Sequence, residues 1–143
     1  MTPPPKTSSS GAPPDAPPPE RRGRGTLVSS FRYAFAGLWW TLKTQRNMRI
    51  HVTIGAIAFG LALLLRFSSG ELALLLVMTT LVLALEMVNT VVEAAVDLAS
   101  PGYHPLAKVA KDVAAGAVLV SAIGSILVGL LLFVPHLRAV WLR

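Results

Sequence analysis

Cysteine is absent from the 143 residues, which excludes a disulfide framework, a thiolate nucleophile and any cysteine-ligated zinc or iron–sulfur centre. Charge is scarce as well: Asp, Glu, Lys and Arg make up 14% of the chain, against 53% hydrophobic residues and a mean hydropathy of +0.60. A soluble domain of this length buries too small a fraction of its surface to hide so much apolar side chain in one core. The composition therefore points to a membrane protein. Acids are sparse in the first third, where residues 1–49 hold eight Lys or Arg against only Asp15 and Glu20; the other 94 residues balance five bases with five acids. Beside apolar spans, such a basic segment points to anionic lipid and a cytoplasmic N-terminus, not to nucleic acid.

Residues 1–25 contain eight of the 11 prolines, three consecutive serines and no apolar run. They read as a disordered, cytoplasmic, proline-rich tail without the hydrophobic stretch of a cleavable signal peptide. The remainder, residues 26–143, reads as one membrane domain. From about residue 27 to 47, Val28, Phe31, Phe35, Leu38, Trp39 and Leu42 recur at helical spacing while Arg32, Lys43 and Arg46 lie mostly elsewhere on the wheel, the pattern of an amphipathic surface helix. Three apolar spans follow, at about 50–65, 72–98 and 113–134. The last has 22 uncharged residues, enough at about 1.5 Å each to cross roughly 30 Å of hydrocarbon. With the N-terminus inside, ten bases fall on the inner side and Arg66, Arg138 and Arg143 on the outer. The positive-inside rule then puts the loop from Ser100 to Asp112 in the cytoplasm and the C-terminus outside. The expected fold is all-α, a surface helix plus three transmembrane helices.

The second span carries chemistry. Glu86, Asn89, Glu93 and Asp97 stand at offsets 0, 3, 7 and 11, within one arc of about 80° on a helix. A carboxylate at mid-bilayer costs on the order of 3 kcal/mol, so an anchor would not carry one there. Asp97, at the end of the span, is equally explained by entry into water. Glu86 lies about 16 Å deeper and is not. Carboxylates about 4 Å apart repel by roughly 4 kcal/mol at an effective dielectric of about 20 and so acquire a proton or a cation. Oxygen donors favour Mg²⁺ over softer metals. Lys108 and Lys111 across the short loop supply positive charge, and Asp112 one more oxygen donor. These are the parts of a phosphoryl-transfer site. Neither a G-x-x-x-x-G-K-[ST] loop nor the glycine-rich loop of protein kinases is present, so helices and side chains must do the work. A cation or proton channel lined by Glu86, Asn89 and Glu93, or a non-catalytic membrane scaffold, is the competing reading. His136 is expected to be solvent-exposed, and His51 to be an interfacial hydrogen-bonding residue.

The string Glu86-Met-Val-Asn89-Thr-Val-Val-Glu93-Ala-Ala-Val-Asp97, with Tyr103-His104 and Ala110-Lys111-Asp112-Val-Ala-Ala-Gly116 after it, resembles the signature of the small prokaryotic integral-membrane diacylglycerol kinase and undecaprenol kinase family. Arg46-Asn47-Met48-Arg49-Ile50-His51 resembles the start of the first span in that family's Gram-positive branch. The resemblance covers roughly residues 27–134. It implies a homotrimer in the bacterial cytoplasmic membrane that uses Mg²⁺ and ATP to phosphorylate a lipid alcohol, diacylglycerol or undecaprenol. It implies Glu86 as the general base, Glu93 as a metal ligand, and Tyr33, Asn89, Glu93, Asp97, Lys111 and Asp112 as nucleotide-binding positions, with Tyr103 and His104 in the neighbouring loop.

One position departs from the family pattern. Gln45 stands where family members usually have a Glu that serves as a second metal ligand. An amide coordinates Mg²⁺ through one oxygen but does not neutralise it. Gln45→Glu is therefore expected to lower the Mg²⁺ concentration needed for half-maximal lipid phosphorylation; an unchanged requirement places Gln45 away from the metal.

Overall fold

The computed structural model describes residues 26–142, so the expected disordered tail over residues 1–25 lies outside the described residues. Four helices follow in sequence, α1 (Leu27–Thr44), α2 (Arg46–Leu64), α3 (Ser69–Ala99) and α4 (Pro105–Trp141), and no strand occurs among the described residues. Of these, α2, α3 and α4 are long and apolar enough to cross a membrane, which matches the expected three spans.

α1 begins where the extended Thr26 accepts the Ser29 N–H at 3.4 Å through its hydroxyl oxygen. It ends three residues earlier than expected. Gln45 is extended, with φ −93° and ψ 118°, and serves both as the last cap of α1 and the first of α2. A single residue thus turns the chain from the surface helix into the first span. Only Thr41 of α1 is buried; Phe31, Phe35, Trp39 and Trp40 stay exposed, and the Lys43 ammonium lies 4.9 Å from the Trp39 ring centroid. An apolar face left exposed among the described residues, flanked by bases and tryptophans, suits the lipid–water boundary.

Arg66, at φ 57°, adopts the left-handed conformation in the turn between α2 and α3. There the Phe67 N–H donates to Ala62 O at 3.0 Å. Ser68 then opens α3 with a reciprocal capping box: its hydroxyl oxygen accepts the Glu71 N–H, and the Glu71 carboxylate accepts the Ser68 N–H at 2.7 Å. α3 has 31 residues, about 46 Å of helix, which exceeds a hydrocarbon core of roughly 30 Å and leaves a polar end free. α4 starts at His104, whose Nδ1 accepts the Leu106 N–H at 3.2 Å, followed by Pro105 in the first turn. It extends beyond the expected 113–134 at both ends. Residues 105–112 are too charged for a span by hydropathy yet remain helical, and the helix continues through Pro135.

The two ends of the bundle differ in kind. At the Phe67 end, Ala62, Phe67 and Leu75 are buried, with Leu132 and Phe133 packed against them. Phe67 meets Phe133 at 4.8 Å and His136 at 4.4 Å between ring centroids. His136 is thus half-buried, not solvent-exposed as expected: the turn folds Phe67 back under α4, and His136 Nε2 lies 3.7 Å from Glu71 Oε1. At the Gln45 end, the buried residues are Thr41, Met48, Glu86, Asn89 and Thr90, most of them polar.

Between the ends, α2 approaches α3 closely at Gly55, where a Cβ would lie 2.8 Å from Thr79 Cγ2. Thr is β-branched and stiff, so the clash is relieved chiefly by separating the helices. Gly60 has nothing within 4 Å of its Cβ position. Gly55→Leu is expected to cost about 1–3 kcal/mol and lower the melting temperature in detergent, whereas Gly60→Leu leaves it unchanged or higher.

Candidate active site

α3 carries the acidic stripe from the buried middle of the bundle to its polar end. Glu86 is 2% exposed and lines a cavity with Asn47 and His51 from α2, Asn89 from α3, and Ala115, Val118, Leu119 and Ala122 from α4. The small residues of α4 leave room for it, and the backbone around Glu86 is secured by the Thr90 hydroxyl, which donates to Glu86 O at 3.0 Å.

Asn89 is 6% exposed, and its Nδ2 donates to Glu93 Oε1 at 2.9 Å. An ionised carboxylate only accepts hydrogen bonds, so the amide must turn its NH₂ towards Glu93 and its carbonyl away. That carbonyl, Oδ1, is the buried side-chain oxygen without a hydrogen-bond partner among the described residues. A buried acceptor left empty costs on the order of 1–3 kcal/mol, which marks the place of a missing partner. Glu93 itself is half-buried.

The polar end holds a second cavity, lined by Asp97, Ser100, Gly102, Tyr103, His104, Lys108, Lys111 and Asp112 among others. Lys111 pairs with Asp97 across the α3–α4 junction, and Lys108 pairs with Asp112 one turn along α4. The structure therefore brings Asp97, Lys111, Asp112, Tyr103 and His104 together, with Lys108 added. His104 has a local duty as well, since its Nδ1 caps α4.

Three expected positions line neither cavity: Gln45, Tyr33 and Glu93, the last of which reaches the first cavity only through its hydrogen bond to Asn89. Gln45 is half-buried at the α1–α2 break and makes no side-chain cap hydrogen bond, so its amide is not committed to the start of α2. Tyr33 is exposed on α1, where the Arg32 guanidinium sits 5.4 Å from its ring centroid. Asn47 and His51 were not read as site residues from the sequence. Their spacing of one helical turn puts both on one face of α2, a signal that becomes informative only once the α2–α3 register is known.

Magnesium can be tested against these donors. Among the described residues no three His, Cys, Asp or Glu side chains converge into a ready-made metal centre. Mg²⁺ in phosphoryl-transfer sites, however, needs only one or two carboxylates, the remaining oxygens coming from substrate phosphates and water. Glu93, beside an amide whose carbonyl oxygen is unpartnered, meets that modest requirement.

Comparison with known proteins identifies the family. The family model for prokaryotic diacylglycerol kinase matches residues 32–133. A diacylglycerol kinase of Synechocystis is 43% identical over 112 residues, 78% of this chain. The matched stretch covers 64% of that relative's own length, just under two thirds. An undecaprenol kinase of Bacillus subtilis is 40% identical over 108 residues, covering 76% of this chain and 88% of that protein. A diacylglycerol kinase of Pseudomonas aeruginosa is 31% identical over 99 residues, covering 69% and 80% respectively. A membrane-spanning α-helical bundle, an acid stripe on α3 answered by lysines on α4, and a family match across both together establish that the chain belongs to the prokaryotic diacylglycerol kinase family of lipid kinases.

Proposed function

We propose that this chain transfers the γ-phosphoryl group of ATP to the hydroxyl of a membrane lipid alcohol, diacylglycerol or undecaprenol, at the cytoplasmic face of the bacterial inner membrane. The observation that carries the reading is the separation of two chemistries along α3. Glu86 is nearly inaccessible in a cavity between helices, while at the polar end Asp97 is exposed and its partner Lys111 half-buried. Glu86 lies seven residues before Glu93, about 10 Å deeper along the helix. A lipid hydroxyl arriving from the membrane meets Glu86, and the charged phosphates of ATP stay near water.

In this reading Glu86 accepts the hydroxyl proton as the alcohol oxygen forms its bond to the γ-phosphorus, and the bond to the β–γ bridging oxygen breaks to release ADP. Lys108 and Lys111 exchange their carboxylate partners for phosphate oxygens and offset their charge. Asp97 and Asp112, released from those lysines, and Tyr103 with His104 border the nucleotide. Glu93, with Gln45, would hold Mg²⁺, which when bound would neutralise charge on the phosphates. Tyr33, on the surface helix, contributes to the nucleotide site from the side of the membrane surface. Holding donor and acceptor in line is the larger share of the work, because phosphoryl transfer asks little covalent chemistry of the protein.

Self-association follows from the same physics. Leu76, Val91, Val120 and Leu131 on α3 and α4 are all more than half exposed, and three helices enclose only part of a polar site. We take the assembly to be a homotrimer, supported by the family resemblance and by small residues that allow close helix approach in lipid.

Purified protein in mixed micelles, given labelled ATP, Mg²⁺ and either diacylglycerol or undecaprenol, is expected to yield a phosphorylated lipid. Glu86→Gln should lower turnover by about a hundredfold or more while nucleotide affinity stays within about twofold, the loss expected for a general base. Glu93→Gln should weaken Mg-ATP binding by about tenfold or more, as for a lost charged ligand. Ion flux through vesicles without any phosphorylated lipid would overturn the reading in favour of a channel, and equal effects of both changes on nucleotide binding would remove the division of roles.

A further inference from the structure

The Glu86 cavity does not end at Glu86. A second groove of about 240 Å³ runs between α2, α3 and α4 towards the Phe67 end, lined mostly by apolar residues such as Ile54, Leu75, Val82, Ile126 and Phe133, with His51, Thr79 and Ser125 as its polar side chains. Two residues line both spaces, His51 and Ala122. Ala122 contributes only a methyl group. His51 is therefore the single polar side chain at the junction between the cavity that holds the carboxylate and the groove that holds hydrocarbon-like walls.

The depth of His51 follows from the helix register. Gly55, one turn further along α2, lies against Thr79 of α3. The two helices run in opposite directions, because they are joined by the short turn at residues 65–68. Stepping back one turn on α2 from Gly55 thus corresponds to stepping forward one turn on α3 from Thr79, which places His51 near Val82 and about one turn on the membrane side of Glu86. A hydroxyl carried on the end of a hydrocarbon chain in the groove passes His51 immediately before it reaches Glu86. The ring is half-buried, and among the described residues no hydrogen bond or ion pair engages either of its nitrogens. Its donor capacity is free for a ligand.

We infer that His51 binds the acceptor alcohol. Its ring N–H donates to the oxygen of the lipid hydroxyl, the hydrocarbon of the lipid lies in the apolar groove, and the hydroxyl hydrogen is left pointing at Glu86. The inference rests on the lipid-kinase reading and deepens it by naming the residue that recognises the acceptor. It commits the groove to the acceptor's hydrocarbon, not to a second copy of the chain, on the ground that the groove is continuous with the Glu86 cavity. His51 keeps its own N–H throughout, since the proton that moves goes from the hydroxyl to Glu86.

Two variants test this in the full chain. His51→Phe fills nearly the same space without a donor, and His51→Gln restores a donor of similar reach. Steady-state rates with undecaprenol and with diacylglycerol are measured at saturating Mg-ATP, and rates with Mg-ATP varied at saturating lipid. His51→Phe should raise the acceptor KM about tenfold or more, as expected for one lost hydrogen bond to a buried site, and leave the Mg-ATP KM within about twofold; His51→Gln should recover most of the loss. An unchanged acceptor KM, a parallel rise in both KM values, or a His51→Gln variant no better than His51→Phe overturns the inference. So does a His51→Phe variant that changes the assembly mass in detergent without changing the acceptor KM, the result expected if a second copy fills the groove. A wild-type chain that phosphorylates neither lipid overturns the lipid-kinase reading itself, and the role of His51 with it.

Discussion

The structure depends most on how a carboxyl group can be kept on a helix that crosses hydrocarbon. Glu86 sits at 2% exposure among helices whose outward faces are Leu, Val and Ile. An isolated carboxylate there would be driven to take up a proton or to leave the bilayer. Three features of the chain answer that demand. Close approach of α2 at Gly55 brings Asn47 and His51 over α3, the small residues Ala115 and Ala122 on α4 leave a space in front of the carboxyl, and Asn89 adds a polar neighbour one turn away. The apolar cluster of Ala62, Phe67 and Leu75 at the other end packs the helices together, with the His136–Glu71 pair at its edge. Apolar packing and the buried carboxyl are thus kept at opposite ends of one bundle.

The sequence made some of this legible and not the rest. Apolar length alone identified the three spans, because in a bilayer the backbone must satisfy itself and a long hydrophobic run has only one way to do so. Periodicity put Glu86, Asn89, Glu93 and Asp97 on one stripe for an equally simple geometric reason. Helix ends were less visible. Hydropathy reports where lipid ends, not where hydrogen bonding ends, so residues 105–112 were read outside the span although they are the first two turns of α4. The break at Gln45 has no glycine or proline to announce it. His136 was misjudged in its surroundings, since these depend on which residue of a neighbouring element lies opposite. That register is set by the turn at Arg66 and the contact at Gly55, neither of which leaves a pattern in one helix taken alone.

The ion pairs at the polar end are informative by their weakness. Lys108, Asp112 and Asp97 have side chains more than half exposed, and pairs of this kind contribute at most about 1 kcal/mol. They hold the lysines near the α3–α4 loop without committing them. A polyanion entering that cavity competes with single carboxylates in high dielectric and replaces them at little cost, which a buried, fully desolvated pair would resist. Exposure of this cluster therefore belongs to the same design as burial of Glu86. Glu86 is shielded from water, and most of the paired side chains at the polar end are left in it.

Asn89 joins the two regions, and its being an amide is what makes the join possible. A carboxylate in its place would face Glu93 with like charge, and a hydroxyl would not span both directions. The amide gives Glu93 a donor and, by the same fixed geometry, presents its carbonyl on the opposite side, where nothing among the described residues hydrogen-bonds to it. Orientation at the deeper site is thereby coupled to the state of Glu93: while that carboxylate accepts from Nδ2, Oδ1 remains aimed away from it as a free acceptor.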